Sequence, residues 1–154
     1  MTSSEFEGGS SKQEHMLNFE RLLVYQKAVD LTNDIYTLTQ DWSKPDTWNL
    51  KDQFRRAVLS VALNIAEGSG RTKRDFRNFL RNSRSSCYEC LAILELSRRQ
   101  GYLSQAHYTT YRARCIELTK MISGLINSLW NGEKNAGSSN FEPRTSNKQE
   151  VRHG

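Results

Sequence analysis

The chain has 154 residues and a formal net charge of +5, a length that fits one domain with its own hydrophobic core. No apolar run reaches the ~18 residues that a membrane span needs. The N-terminus lacks the basic and apolar regions of a secretory signal. Three cysteines without such a signal argue against a disulfide framework. We therefore expect a cytoplasmic protein that does not enter the membrane.

The positive charge is concentrated in one segment. Residues 51–84 hold nine Lys or Arg and three Asp or Glu residues, a balance of +6, so the rest of the chain carries −1 of the net +5. A basic excess confined to one segment is typical of a surface that meets an anion, such as nucleic acid or an acidic protein. The alternative is a merely solvated helix face.

The chain is predicted to begin with a disordered tail over residues 1–17, which are rich in Ser, Gly and Glu. A first helix is predicted from Asn18 to Gln40, with Asn18 as its N-cap. Its apolar residues cover about half of the helix circumference, more than the ~100° stripe of a surface helix. So wide a face can pack against both its own bundle and a second subunit. Alternatively, the helix is central to one bundle.

A second helix is predicted from Leu50 to Glu67, because Pro45 ends any continuation of the first. Asn49 is expected to cap this helix. Its apolar residues recur at heptad spacing, which indicates one buried seam. Gly68 is predicted to follow the helix in the left-handed conformation that favours glycine.

A third helix is predicted from Lys73 to Gln100. Thr72 is expected to be its N-cap, and Asp75, three residues later, completes a capping box. Gly101 is predicted to end this helix.

A fourth helix is predicted from Gln105 to Trp130, with Ser104 as its cap. Seven consecutive a and d heptad positions, from Tyr108 to Leu129, are apolar, the strongest periodic signal in the chain. Residues 131–154 have no such period and are predicted to be a disordered tail. The sequence thus predicts an all-α, antiparallel up-down-up-down four-helix bundle over residues 18–130.

A row of basic side chains is the best candidate for a binding site. On the third helix, one row of arginines follows the spacing i, i+3, i+7, i+10: Arg74, Arg77, Arg81 and Arg84. Like charges in such a row repel each other unless an anion relieves the repulsion. Arginine suits phosphate because its planar guanidinium makes bidentate contacts. The predicted nucleic-acid-binding residues are Arg55, Arg56, Arg71, Lys73, Arg74, Arg77, Arg81 and Arg84.

The corner between the second and third helices forms a motif of Asn64, Glu67, Gly68 and Gly70. Glu67 lies at a helix end where the dipole disfavours a carboxylate, and such departures occur where function or a tertiary partner overrides local rules. We expect Asn64 to hydrogen-bond the turn and Glu67 to pair with an arginine such as Arg71 or Arg56. Alternatively, the two residues line an interface or bind a base edge.

No catalytic residue, metal site or cofactor is predicted. Cys87 and Cys90 form a CxxC, but redox motifs of this kind open a helix, whereas this one lies within a helix. We expect both cysteines to belong to the core. The histidines His15, His107 and His153 form no Ser-His-Asp or Cys-His arrangement.

The stretch SVALNIAEGSGR resembles a family of small bacterial four-helix-bundle proteins, the 23S ribosomal RNA intervening-sequence proteins. The likeness covers about residues 18–130 and includes FERLLVYQKAVDL, NLKDQFRRAVLS, RDFRNFLRNSRSSCYEC and RRQGYL. It implies a bundle that often forms a ring-shaped pentamer, with suspected RNA binding. It also implies kinship of fold with the accessory protein of diversity-generating retroelements, which binds nucleic acid and a reverse transcriptase.

These observations favour a non-catalytic homo-oligomer, a pentamer by resemblance, that binds nucleic acid, and RNA in particular. The alternative is a protein-interaction scaffold, for example an accessory subunit of a reverse transcriptase. Binding to bare RNA distinguishes the two, because a scaffold would first need its protein partner.

Overall fold

The computed structural model describes residues 17–43 and 45–138. Four α-helices form the fold, and two short 3-10 helices, Asn18–Arg21 and Pro45–Thr47, precede the first two. The described residues contain no β-strand, so the predicted all-α class is confirmed. The α-helices are α1 (Leu23–Leu38), α2 (Trp48–Ser69), α3 (Lys73–Arg99) and α4 (Gln105–Ser138).

Side-chain pairs show how neighbouring helices run. Between α2 and α3, the Ser83 hydroxyl donates to the Val61 carbonyl at 2.8 Å, and the Ser86 hydroxyl donates to the Ser60 hydroxyl at 2.9 Å. Residue numbers therefore rise along one helix while they fall along the other. The pairs that join α3 to α4, and α1 to α4, follow the same opposed order. An antiparallel arrangement requires this order.

The starts of α3 and α4 are those predicted, and α3 ends at Arg99, one residue before the predicted end. The Thr72 hydroxyl accepts from the Asp75 amide at 3.2 Å and donates to its carboxylate at 2.8 Å. Gly101 follows α3 with a φ of 75°, the one positive φ in the described residues. At the start of α4, the Ser104 hydroxyl accepts from the His107 amide at 3.1 Å.

Both predicted asparagine caps are wrong. Asn18 opens the first 3-10 helix, and α1 begins five residues later, at Leu23. Asn49 lies inside α2, which begins at Trp48. Cap preference is a local tendency of about 1 kcal/mol, and the packing of a whole helix outweighs it.

The end of α4 also differs from the prediction. The helix continues past Trp130 to Ser138, so residues 131–138 are helical rather than part of a tail. The physical reason is tertiary: the Glu133 carboxylate pairs with Arg77 on α3. Residues 1–16 and 139–154, which hold the rest of the two predicted tails, lie outside the described residues.

The prediction for Gly68 is wrong in its mechanism. Gly68 is buried inside α2 and does not adopt a positive φ. A Cβ atom at this position would lie 2.6 Å from Phe79 Cβ and 2.8 Å from Phe76 Cδ2. The glycine is therefore required by the close approach of α2 and α3, not by a left-handed backbone.

The hydrophobic core runs between the four helices. It extends to the connection between α1 and α2, where Trp42 is buried against Phe54 and Tyr102. Within residues 17–43 and 45–138, no helix combines the length and the hydropathy that crossing a membrane would require. The largest fully buried side chains include Leu31, Ile35, Phe54, Ile65, Leu80, Leu94, Leu118 and Ile122.

Candidate nucleic-acid interface

The arginine row of α3 is divided into two pairs. Arg74 and Arg81 are exposed to solvent. Arg77 is buried, and Arg84 is half-buried, with its Nη1 donating to the Ser123 hydroxyl of α4 at 3.0 Å. The predicted row of four therefore offers two exposed arginines to a ligand, although Arg81 Nη1 also donates to Asn78 Oδ1 at 2.8 Å, while the other two arginines face α4.

Arg77 has a structural role in the described fold. Its side chain is 6% exposed and forms an ion pair with Glu133. Its guanidinium carbon lies 4.6 Å from the centre of the Trp130 ring. A buried cation needs such a partner because desolvation of an unpaired charge is costly. Arg77 is therefore not a candidate for ligand binding, although the sequence predicted it as one.

Helix α4 contributes cations that the sequence analysis missed. Lys120 and Lys134 are exposed and belong to a stripe that also contains Ser123, Asn127 and Trp130, at spacings of i+3, i+7, i+10 and i+14 from Lys120. Because Ser123 and Trp130 contact arginines of α3, this stripe lies beside the arginine row. The spacing of this stripe can be recognised in the sequence. That the stripe lies beside the arginine row of α3 can be seen only in the structure.

The two helices together form one basic surface, which we call the α3/α4 basic face. At the start of α3, Lys73 Nζ lies 3.5 Å from the point where a Cβ of Gly132 would stand, so Lys73 reaches α4 as well. Of the carboxylates near these cations, Glu133 is paired with Arg77, and Asp75 at the start of α3 accepts from the Thr72 hydroxyl. The face comprises Lys73, Arg74, Arg81, Arg84, Lys120 and Lys134.

Arg55 and Arg56, also predicted to bind nucleic acid, lie on α2 and outside this face. Arg55 Nε donates to the Thr39 hydroxyl at 2.9 Å, and its Nη2 donates to the Tyr36 carbonyl at 3.0 Å. Arg55 therefore ties α2 to the end of α1. Arg56 pairs with Asp52 at 3.1 Å on the surface of α2.

The corner motif makes local contacts. Glu67 pairs with Arg71 at 3.0 Å, which confirms the predicted partner. Asn64 does not reach the turn, because its Nδ2 donates to the Ser60 carbonyl at 2.8 Å and to the Ser60 hydroxyl at 3.0 Å. Gly70 is exposed and caps the C-terminus of α2 with a φ of −88°.

A second surface, between α1 and α2, is apolar. Val29, Tyr36, Leu59 and Leu63 are 40%, 39%, 38% and 56% exposed and line a groove of about 350 Å³. Leu59 and Leu63 also line a smaller groove that continues towards Glu67. The apolar face of the first helix is therefore only partly covered by its own bundle. We call this surface the α1/α2 groove.

The three cysteines are buried and unbridged. Burial raises the pKa of the Cys87 thiol to about 12, and a hydrogen bond with Cys115 together with burial raises the pKa of Cys90. Neutral, buried thiols of this kind are core residues rather than nucleophiles, as expected for the CxxC. Across the described ranges, no three His, Cys, Asp or Glu side chains form a group that could hold a metal ion.

The fold places this chain in the class of small all-α bundle proteins. Within that class, the sequence pattern of the 23S rRNA-intervening sequence protein family matches residues 20–124, and the chain belongs to that family. No curated protein matches the chain.

A solved structure supports the fold. A protein of unknown function from the S23 ribosomal protein family of Bacteroides thetaiotaomicron is similar to this chain, with a TM-score of 0.63 and 22% sequence identity. The match covers 68% of this chain and 98% of that one.

Proposed function

We propose that this protein is a non-catalytic, homo-oligomeric bundle that binds RNA on the α3/α4 basic face. The observation that carries the proposal is the convergence of exposed cations from two helices on one surface, while the Glu133 carboxylate beside them is paired with Arg77. Arginine makes bidentate contacts with phosphate, and lysine supplies a point charge. Such a surface suits a polyanion better than a single small anion.

The choice of RNA rests on the family. The family is described by intervening sequences of 23S ribosomal RNA, and we therefore propose RNA as the ligand. The charge of the face alone would suit DNA as well, because contacts with phosphate carry no sequence information.

The α1/α2 groove supports self-association. Exposed apolar patches can mark sites of protein–protein interaction, and here four exposed apolar side chains line one groove. We propose that a second copy of the chain covers it. An oligomer would then present the basic face several times and gain avidity for a long RNA.

The same groove favours the second candidate function, a protein-interaction scaffold. In that case a different protein, such as a reverse transcriptase, would occupy the groove in place of a second copy. The basic face would then contribute little to binding of bare RNA.

Salt dependence tests the proposal. Neutralised phosphates release counterions, so the logarithm of the affinity falls linearly with the logarithm of salt concentration, by about 0.7–0.9 per contact. We expect the double variant Arg74→Ala, Arg81→Ala to flatten this slope by about 1.4–1.8 for each basic face that contacts the RNA. The measurement is a titration of fluorescently labelled RNA at several salt concentrations, with circular dichroism to confirm folding.

A matched control removes two cations elsewhere. Arg21→Ala with Arg56→Ala takes the same charge from exposed positions on the first 3-10 helix and α2. We expect this variant to keep the wild-type slope. An equal flattening in both variants would show that the binding site is not the α3/α4 basic face, and no binding by wild type at low salt would favour the scaffold.

A further inference from the structure

Two exposed aromatic rings lie within the α3/α4 basic face. Tyr88 is 53% exposed and Trp130 is 46% exposed. On α3, Tyr88 follows Arg81 by seven residues and Arg84 by four, so the three side chains share one side of the helix. On α4, Trp130 lies in the stripe between Lys120 and Lys134.

Tyr88 continues the row of exposed arginines. At about 1.5 Å per residue, Arg74, Arg81 and Tyr88 follow one another along α3 at steps of about 10 Å. The described structure gives the Tyr88 ring no aromatic or cationic partner. The face thus offers cations followed by an open aromatic ring.

Trp130 is held in place from within the bundle. Arg77, which is buried, has its guanidinium carbon 4.6 Å from the ring centre, and Lys134 Nζ lies 5.2 Å from it. The ion pair of Arg77 with Glu133 fixes the guanidinium beneath this contact. Trp130 is therefore an oriented ring at the surface, and Lys134 is an exposed cation over the same ring.

We infer that the RNA bound by this face is single-stranded and that its bases stack on Tyr88 and Trp130. This inference rests on the proposed function and adds that the bound RNA is unpaired. A base in a duplex is stacked on its neighbours and cannot lie on a side chain, whereas an unpaired base can. Proteins that bind single strands combine a basic path for the backbone with aromatic platforms for the bases, and the α3/α4 basic face has both features.

The test compares a single-stranded RNA with a duplex of the same length, by fluorescence anisotropy of the labelled strand. Wild type should prefer the single strand. Tyr88→Ala should weaken single-strand binding roughly 5- to 150-fold, the equivalent of the ~1–3 kcal/mol that a stacked base contributes. Tyr88→Phe should retain the affinity, because the ring remains. The salt slope should not change in either variant, because no charge is removed.

Trp48→Ala is the matched control, since Trp48 is 63% exposed but lies on α2, outside the face. Single-strand affinity should be unchanged in this variant. Equal affinity for duplex and single strand, with no loss on Tyr88→Ala, would overturn the stacking inference. The RNA-binding proposal would stand in that case if Arg74→Ala with Arg81→Ala still flattened the salt slope. Absence of RNA binding by wild type would overturn both.

Discussion

Replacing Gly68 with alanine adds one methyl group where α2 and α3 approach closely. The new Cβ would lie 2.6 Å from Phe79 Cβ and 2.8 Å from Phe76 Cδ2, whereas carbon atoms prefer separations of about 3.5–4.0 Å. The Phe76 ring could rotate slightly. Phe79 Cβ is bonded directly to the backbone, so it can retreat only if α3 moves away from α2.

Two effects of this substitution oppose each other. In a helix interior, alanine is about 1 kcal/mol more favourable than glycine, and Gly68 lies inside α2. Overpacking a close contact costs about 1–3 kcal/mol, and the separation from Phe79 Cβ argues for the upper end. We therefore expect a net loss of about 1–2 kcal/mol in the free energy of unfolding.

Urea unfolding followed by circular dichroism measures this loss, at one fixed protein concentration because the midpoint of an oligomer depends on concentration. Gly124→Ala is the control. Gly124 lies in α4, and a Cβ there would meet no atom within 4 Å. The control should gain about 0.5–1 kcal/mol. A gain of the same size in Gly68→Ala would refute the tight crossing of α2 and α3.

Two further predictions concern self-association and the core. Leu63→Lys places a charge in the α1/α2 groove, so light scattering should fall from a multiple of 17.8 kDa to the mass of one chain; an unchanged mass would exclude the groove as the interface. Leu118 is 2% exposed, and Leu118→Ala should cost ~2–5 kcal/mol of unfolding free energy. Leu96, 49% exposed, serves as the control, since Leu96→Ala should change stability by about 0.5 kcal/mol or less; similar losses in both would contradict the assigned core.

The features predicted correctly from the sequence depend on short segments. A cap joins a side chain to an amide three residues away, so Thr72 and Ser104 could be recognised without knowledge of the fold. Gly101 is also local, because a positive φ immediately after a helix favours glycine. The pairing of Glu67 with Arg71 spans one helical turn.

The features missed depend on a second helix. The sequence predicts that Gly68 and Gly101 each follow the end of a helix, but Gly68 lies inside α2. The difference is Phe79 on α3, which fills the space where a side chain of Gly68 would stand. In the same way, the polar sequence after Trp130 conceals a helical end because the partner of Glu133 is Arg77, 56 residues earlier.

The composition of the basic face follows from the same dependence on a partner helix. At about 100° per residue, Arg74 and Arg81 differ by only about 20° around α3, whereas Arg77 and Arg84 are displaced from Arg74 by about 60–80°. This displacement turns the second pair towards α4, where one arginine is neutralised and the other is hydrogen-bonded. Repulsion within the row is thereby reduced, and the positive potential of the exposed pair remains open to solvent. The lysines of α4 then strengthen that potential from the other side, so the basic face depends on both α3 and α4 and on neither helix alone.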